Sequence, residues 1–260
     1  MFVINSLNIN AFKNGMGDKP AFFSAVRAEL PDVVYLQETG MPEDRFPNYV
    51  RLEGYHLESA FDPLGIGTTG VSILSRQKPA AVRRSVCDAI TEHAECRGRF
   101  IAATWPAIAV ASIYAPNPDA PNGKANQAQF FSCLVSFMLK HSQQAYVIAG
   151  DFNTILGNGD RPSTKSSPWA NARNRAILLQ AIESGWFDTF RRIHGQAVRR
   201  VTAWHSQSAF ESAGYGIDFQ LASPATRNRL VDAAILRPET YMKQFSDHAA
   251  TKSTYELEKL

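Results

Sequence analysis

The sequence predicts an α/β protein built mostly of antiparallel sheets covered by helices. Short apolar runs recur along the whole chain, four to eight residues long, often β-branched and bounded by Gly, Pro, Asn or Asp. Many neighbouring runs are close in sequence, which suits strands joined by short connections. Only three stretches carry a helical apolar period, so strands outnumber helices.

The elements follow in order. Phe2–Leu7 reads as the first strand. A helix is predicted from about Asp18, with Pro20 in its first turn, to about Leu30. Strands follow at Val33–Leu36, Val71–Leu74, Phe100–Trp105 and Ile108–Tyr114. From Lys124 to His141, Phe130, Phe131, Leu134, Val135, Phe137 and Met138 make the wide apolar face of a second helix. Tyr146–Ala149 is continuously apolar, as a buried strand should be. Residues 157–171, "GNGDRPSTKSSPWAN", form a long polar loop of the kind that often carries function. Ala172–Ser184 is the third helix, burying Ile177, Leu178, Ala181 and Ile182. Ile217–Leu221 and Leu230–Leu236 close the set of strands. No repeat or low-complexity tract divides the chain, so residues 1–260 read as a single domain near the upper size for one core.

Composition narrows the function classes. Hydrophobic residues at 45% and charged residues at 20% describe a globular chain rather than a disordered or fibrous one. A net charge of +3 and a pI near 8.8 tolerate a polyanionic partner without requiring one. Cys87, Cys96 and Cys133 are odd in number and include no CxxC pair. That argues against a disulfide framework or a zinc site, and for a reducing compartment. "MFVINSLNINAFK" is no signal peptide, and no window holds 18 apolar residues. The expectation is a cytoplasmic protein without membrane contact.

Polar groups gather at the strand ends. In "AYVIAGDFNT" an apolar strand runs into Asp151 and Asn153. Residues two apart on a strand project to one side, so the pair could serve one site if the extended geometry persists past Gly150. Asn8 and Asn10 follow the first strand, Glu38 follows "VVYLQ", and Tyr114 and Asn117 follow "AIAVASI". Asp218 lies in "GYGIDFQLAS"; Asp247 and His248 lie in "FSDHAA". Singly, each is a turn or cap residue. Together, oxygen ligands at the ends of separate strands suit Mg²⁺ or Mn²⁺, and His beside Asp suits phosphate contact and proton transfer.

"NINAFK", "LQET", "IYAPN", "GDFNT", "GWFDTFR", "IDFQLAS" and "SDHA" occur in the order of the endonuclease/exonuclease/phosphatase superfamily. The chain resembles its exonuclease III-type apurinic/apyrimidinic (AP) endonuclease branch, from Phe2 to about Tyr255. Tyr114 in "SIYAPN" and the "FDTFR" segment carry the branch assignment. The resemblance implies a four-layer α/β sandwich, two mostly antiparallel sheets face to face with helices outside. It also implies a role for each site residue. Asp151 would orient or deprotonate the attacking water, and Asn153 would position water or phosphate. Glu38 would be the principal metal ligand, with Asn10 and Asp247 as further ligands. Asn8 would help place Asp151. Asp218 would orient His248 on the scissile phosphate, Tyr114 would stabilise the transition state or leaving oxygen, and Asn117 would hold a phosphate oxygen.

The implied reaction is Mg²⁺-dependent hydrolysis of duplex DNA 5′ to an abasic site, by a monomer. Family members add 3′→5′ exonuclease or 3′-phosphatase activity, so 3′-blocked ends are a second substrate class. Other readings are a non-specific nuclease of this fold, a lipid phosphodiesterase and a silent DNA-binding module. A lipid enzyme should show an apolar hairpin, which this sequence lacks, and a silent module has no use for a full hydrolytic set. DNA contact would fall on Arg97, Arg99 and Lys124, with Lys13, Arg161, Lys165, Arg173 and Arg175 as further basic candidates. Trp204, Tyr215 and Ile217 would line a pocket for an extruded sugar. The chain departs from the family pattern at four places. Gly216 stands where arginine is common, Ala203 where an aromatic is common, and Tyr215 where Trp is frequent. "ILGNGDRP" replaces an "APxDxD" segment.

Overall fold

A computed structural model of the chain describes residues 1–10, 28–40, 52–62, 69–87, 96–161, 168–204, 206, 214–237 and 246–257. Two six-stranded sheets stack face to face. The first contains β1 (Phe2–Asn8), β2 (Val33–Gln37), β3 (His56–Phe61), β4 (Gly70–Ser75), β11 (Leu230–Leu236) and β12 (Ala250–Tyr255), in the order β11-β12-β1-β2-β4-β3. The second contains β5 (Ala81–Arg83), β6 (Phe100–Thr104), β7 (Ala109–Tyr114), β8 (Tyr146–Asp151), β9 (Phe187–Asp188) and β10 (Asp218–Ala222), in the order β5-β6-β7-β8-β10-β9. The pairing is antiparallel apart from one parallel pair in each sheet, β1 with β2 and β7 with β8.

Side-chain alternation divides the core into layers. Ile101, Ala103, Val110, Val147 and Ala149 point between the sheets, where they meet Phe2, Ile4, Val33, Tyr35 and Ile73. Their strand neighbours Phe100, Ala102, Ala111, Ile113 and Ile148 point outward, under α1 (Gly123–Lys140) and α2 (Ala172–Glu183). Strands covered on both faces must be apolar throughout, which is why "YVIA" reads as an unbroken run. Leu7, Val34, Leu36 and Leu74 form the outer cluster of the first sheet. The result is the expected α/β sandwich.

All eight strands read from the sequence are present, and their limits shift by two residues at most. β3, β5, β9 and β12 escaped that reading, as did the short helix α3 (Thr189–His194). Most of the first expected helix lies outside the described residues; Ala28 and Glu29 are helical. In the loop 157–171, Asn158–Asp160 and Pro168–Ala170 are 3₁₀ turns. The three cysteines, whose spacing gave no sign of a cluster, come together in space. Among the described residues no helix is long and apolar enough to cross a membrane.

Candidate active site

The two parallel pairs build the site. Parallel neighbours end side by side, so the residues that follow them share one edge of the sandwich. In the first sheet Asn8 lies opposite Gln37, which brings Glu38 beside it. In the second, Tyr114 lies opposite Asp151, and antiparallel β10 sets Asp218 opposite Asp151 from the other side. Gly150 makes this approach possible. Its φ is +146°, and a Cβ there would lie 2.0 Å from the Ile113 carbonyl oxygen.

Hydrogen bonds then cross from sheet to sheet. The Asn8 Nδ2 donates to Glu38 Oε1 and to Asp151 Oδ2, both at 2.9 Å. The Asn8 Oδ1 accepts from the Asn10 backbone N–H at 2.9 Å. The Asn10 Nδ2 donates to Asp247 Oδ1 at 3.0 Å. His248 Nδ1 lies 2.9 Å from Asp218 Oδ2, which leaves Nε2 as the ring's remaining polar atom. Asp151, Asp218 and His248 are all buried, and their ligand atoms lie within 4.8 Å of one another.

The strand argument for Asp151 and Asn153 needs correction. β8 ends at Asp151, and Asn153 has a φ of +48°, so extended geometry does not persist. An Asx turn links the two instead, with the Asn153 N–H donating to Asp151 Oδ1 at 2.7 Å. The Asn153 Nδ2 donates to the Ala115 carbonyl at 2.9 Å. Asn10 and Glu38 also have positive φ, 47° and 51°. A left-handed conformation costs a residue with a Cβ roughly 1–2 kcal/mol. Three such residues in one cluster mark a place where position outweighs backbone comfort.

Burial and charge set the protonation. Desolvation, the Asp218 carboxylate and Glu38 together push the Asp151 carboxyl up to about 8. Burial opposes charge on His248, yet Asp218, Asp151 and Asp247 outweigh it and hold the imidazole proton well above its usual range. Burial, with Glu38 and Asp151 nearby, raises the Tyr114 phenol, which stays protonated.

The remaining candidates divide. Arg99 turns inward rather than to the surface. Its guanidinium lies 5.0 Å from the centre of the Tyr114 ring and donates to the Tyr114 carbonyl. Arg97 and Arg175 are half-buried, while Lys124, Arg161 and Arg173 are exposed; Lys13 and Lys165 lie outside the described residues. Asn117 is exposed and caps a turn by accepting from the Asp119 N–H. Tyr215 and Ile217 pack with Trp169, Ile155 and Ala203. Trp204 is buried in a different cluster, with Ala249.

A buried network that the sequence did not announce supports the site. Asp160 pairs with Arg191 and with Arg200, and Arg200 pairs with Asp188 at 2.6 Å. The Arg200 side chain runs over Gly216, where an added Cβ would lie 2.8 Å from its Cγ. The Gly216 N–H donates to the Asp160 carbonyl. Arg200 therefore fills the space beside residue 216, two residues before Asp218. The available signal was "GNGDRP", which keeps an acidic residue while Gly216 supplies no side chain.

Fold and site together define a protein class. The profile of the Endonuclease/Exonuclease/phosphatase family matches residues 6–248, and the chain belongs to that family. Within it, the chain is similar to an exodeoxyribonuclease III of Haemophilus influenzae, 24% identical over 261 residues, covering 91% of this chain and 94% of that one. It superposes on an AP endonuclease from Archaeoglobus fulgidus with a TM-score of 0.82 at 22% identity, covering 99% and 100% of the two chains. A 3′-5′ exonuclease from Neisseria meningitidis superposes with a TM-score of 0.80 at 24% identity, covering 98% and 100%. The similarity to the exodeoxyribonuclease III bears out the resemblance read from the motifs, and the superpositions bear out the fold.

Proposed function

We propose that the protein is a divalent-metal-dependent DNA phosphodiesterase that cuts 5′ to abasic sites in duplex DNA, leaving a 3′-hydroxyl and a 5′-deoxyribose phosphate. The observation that carries this reading is the crossing of Asn8 between Glu38 and Asp151, which joins a metal-type carboxylate to a buried base. The donors fit a hard cation. Glu38 and Asp247 offer carboxylates, and Asn10, which commits its Nδ2 to Asp247, would offer its side-chain carbonyl oxygen as a ligand. An all-oxygen set selects Mg²⁺ or Mn²⁺ over soft metals. When bound, the ion supplies Lewis-acid polarisation of the phosphate and clamps its charge.

The chain's own groups perform the rest. Asp151 takes the proton of the attacking water at a carboxylate oxygen. Asn8 and the Asn153 N–H hold that carboxylate in place. Asp218 fixes His248 through Nδ1, so the protonated Nε2 donates to a phosphate oxygen as charge develops there, the kind of interaction that contributes most to catalysis. Tyr114, kept protonated, donates to the leaving oxygen. The protein acts as a monomer, and exposed Lys124, Arg161 and Arg173 track the DNA backbone.

The deciding test is a labelled duplex with one internal tetrahydrofuran analogue, beside an intact duplex, in Mg²⁺, Mn²⁺ and EDTA, with Asp151→Asn as control. One metal-dependent nick 5′ to the analogue supports the proposal. A ladder from the 3′ end of both duplexes moves the function to 3′-exonuclease. That second reading is favoured by one feature: Ile217 is buried and Tyr215 stacks edge-on against Trp169, filling space expected for an extruded sugar.

A further inference from the structure

All three cysteines of the chain meet at one place, although they lie at residues 87, 96 and 133. Cys87 follows β5, Cys96 precedes β6, and Cys133 sits in α1. The Cys87 sulfur is 3.5 Å from that of Cys96 and 2.6 Å from that of Cys133. All three sulfurs lie within 4.8 Å of one another. A thiol used only as a small hydrophobe has no reason to face other thiols. Here sulfurs from three separate segments converge, two of them buried and the third, Cys133, half-buried and open to an entering ion.

The geometry is close to that of a metal centre. A Zn–S bond of ~2.3 Å sets tetrahedral sulfurs about 3.8 Å apart. The two edges from Cys87, 3.5 and 2.6 Å, are shorter than that value and the third is within 4.8 Å, so the thiols lie slightly closer than a bound ion needs, and rotation of the half-buried Cys133 side chain opens the shortest edge. The electrostatics agree. Three thiolates around a divalent cation leave one net negative charge. Arg83 donates to the Ser85 and Cys87 carbonyls at 2.6 and 3.1 Å, and the Arg99 charge interacts favourably with Cys96. Both guanidiniums offset the charge as an outer shell.

We propose that Cys87, Cys96 and Cys133 form a three-thiolate site for one thiophilic metal ion of the Zn²⁺ class, separate from the oxygen-lined site around Glu38. Each thiol gives its proton to the buffer as its sulfur bonds to the ion, and no electrons are transferred. Thiolates select such ions over Mg²⁺, so the two sites do not compete. Binding would tie the β5–β6 edge to α1.

Cd²⁺ titrated into the reduced full-length protein, in excess Mg²⁺, tests this through thiolate-to-metal charge-transfer absorption. The expected result is saturation at one equivalent, with proton release and a higher melting temperature. Cys133→Ser and Cys133→Ala should keep the circular dichroism spectrum and lose at least tenfold in Cd²⁺ affinity, while Asp151→Asn keeps the band. No band in the wild-type protein overturns the proposal, as does a band unchanged in both Cys133 variants. An intact mass short of two hydrogens after purification without reductant, with one thiol left to titrate, also overturns it. That result would assign Cys87 and Cys133 to a disulfide.

Discussion

At the scale of single residues, the site depends on which groups hold protons. Asp151→Asn removes the proposed base while keeping shape, and its nicking rate should fall by about 10²–10⁴-fold in steady-state assays. His248→Ala should cost a similar factor. Asp218→Asn should cost less, and it should also lower the pH at which activity is lost on the alkaline side, because the imidazole loses the carboxylate that holds its proton. The pH profile of that variant against wild type checks the assignment.

Stability carries the same signature. The Asp151 carboxyl titrates at about 8 in the folded chain against 3.8 for a free group. Between those values the folded chain keeps a proton that the unfolded chain has released. Its stabilisation is complete below pH ~4 and is lost as pH rises through about 8. His248, also raised, acts with the same sign from its own unfolded value upward. Melting in EDTA should therefore weaken from pH 5 to 8 in the wild type and less in Asp151→Asn. Mg²⁺ should flatten the wild-type slope, since a nearby dication favours the carboxylate.

At the scale of elements, Gly150 and Arg200 are the sensitive positions. Gly150→Ala forces a Cβ against the Ile113 carbonyl at a positive φ. It should destabilise the protein by roughly 2 kcal/mol or more in urea unfolding, with loss of activity. Arg200→Met leaves Asp188 and half of Asp160's ion pairing uncompensated in the core. It should cost about 3–5 kcal/mol. Arg200→Lys keeps the charge but loses the fork, and should fall between.

The same positions show what the sequence made legible. Strands buried on both faces announce themselves through unbroken apolar runs, and β2 and β8 were plain on that ground. β12, "ATKSTY", is central in its sheet yet polar, because its side chains meet the buried Gln220 through Thr251 and Ser253 rather than an oily layer. β3 and β5 are edge strands; β3 carries His56 and Glu58 on a partly exposed face, and β5 is only three residues long. The site's members were readable from ordered motifs. Their geometry was not, because the left-handed turns at Asn10, Glu38 and Asn153 replace strand alternation with local hydrogen bonding. Arg200 was invisible because its partners Asp160 and Asp188 are close only in space.

At the scale of the whole molecule, the small positive charge should be expressed as modest, salt-dependent DNA affinity. Charge reversal at Lys124, Arg161 and Arg173 together should weaken duplex binding evenly across sequences. It should also reduce the slope of log affinity against log salt by about 0.9 for each phosphate no longer neutralised. Fluorescence anisotropy at several salt concentrations checks this; an unchanged slope would place the DNA track elsewhere.

The position of β1 has a consequence for synthesis. This strand, made well before β12, lies between β2 and β12, and His248 arrives just before β12. Translation at about 5–20 residues per second leaves one side of β1 open for many seconds. During that interval the nascent polypeptide lacks His248, the imidazole proposed to bind phosphate. On the proposed reading, a ribosome-bound or prematurely released fragment would lack the nicking activity, which would appear only when β12 pairs with β1.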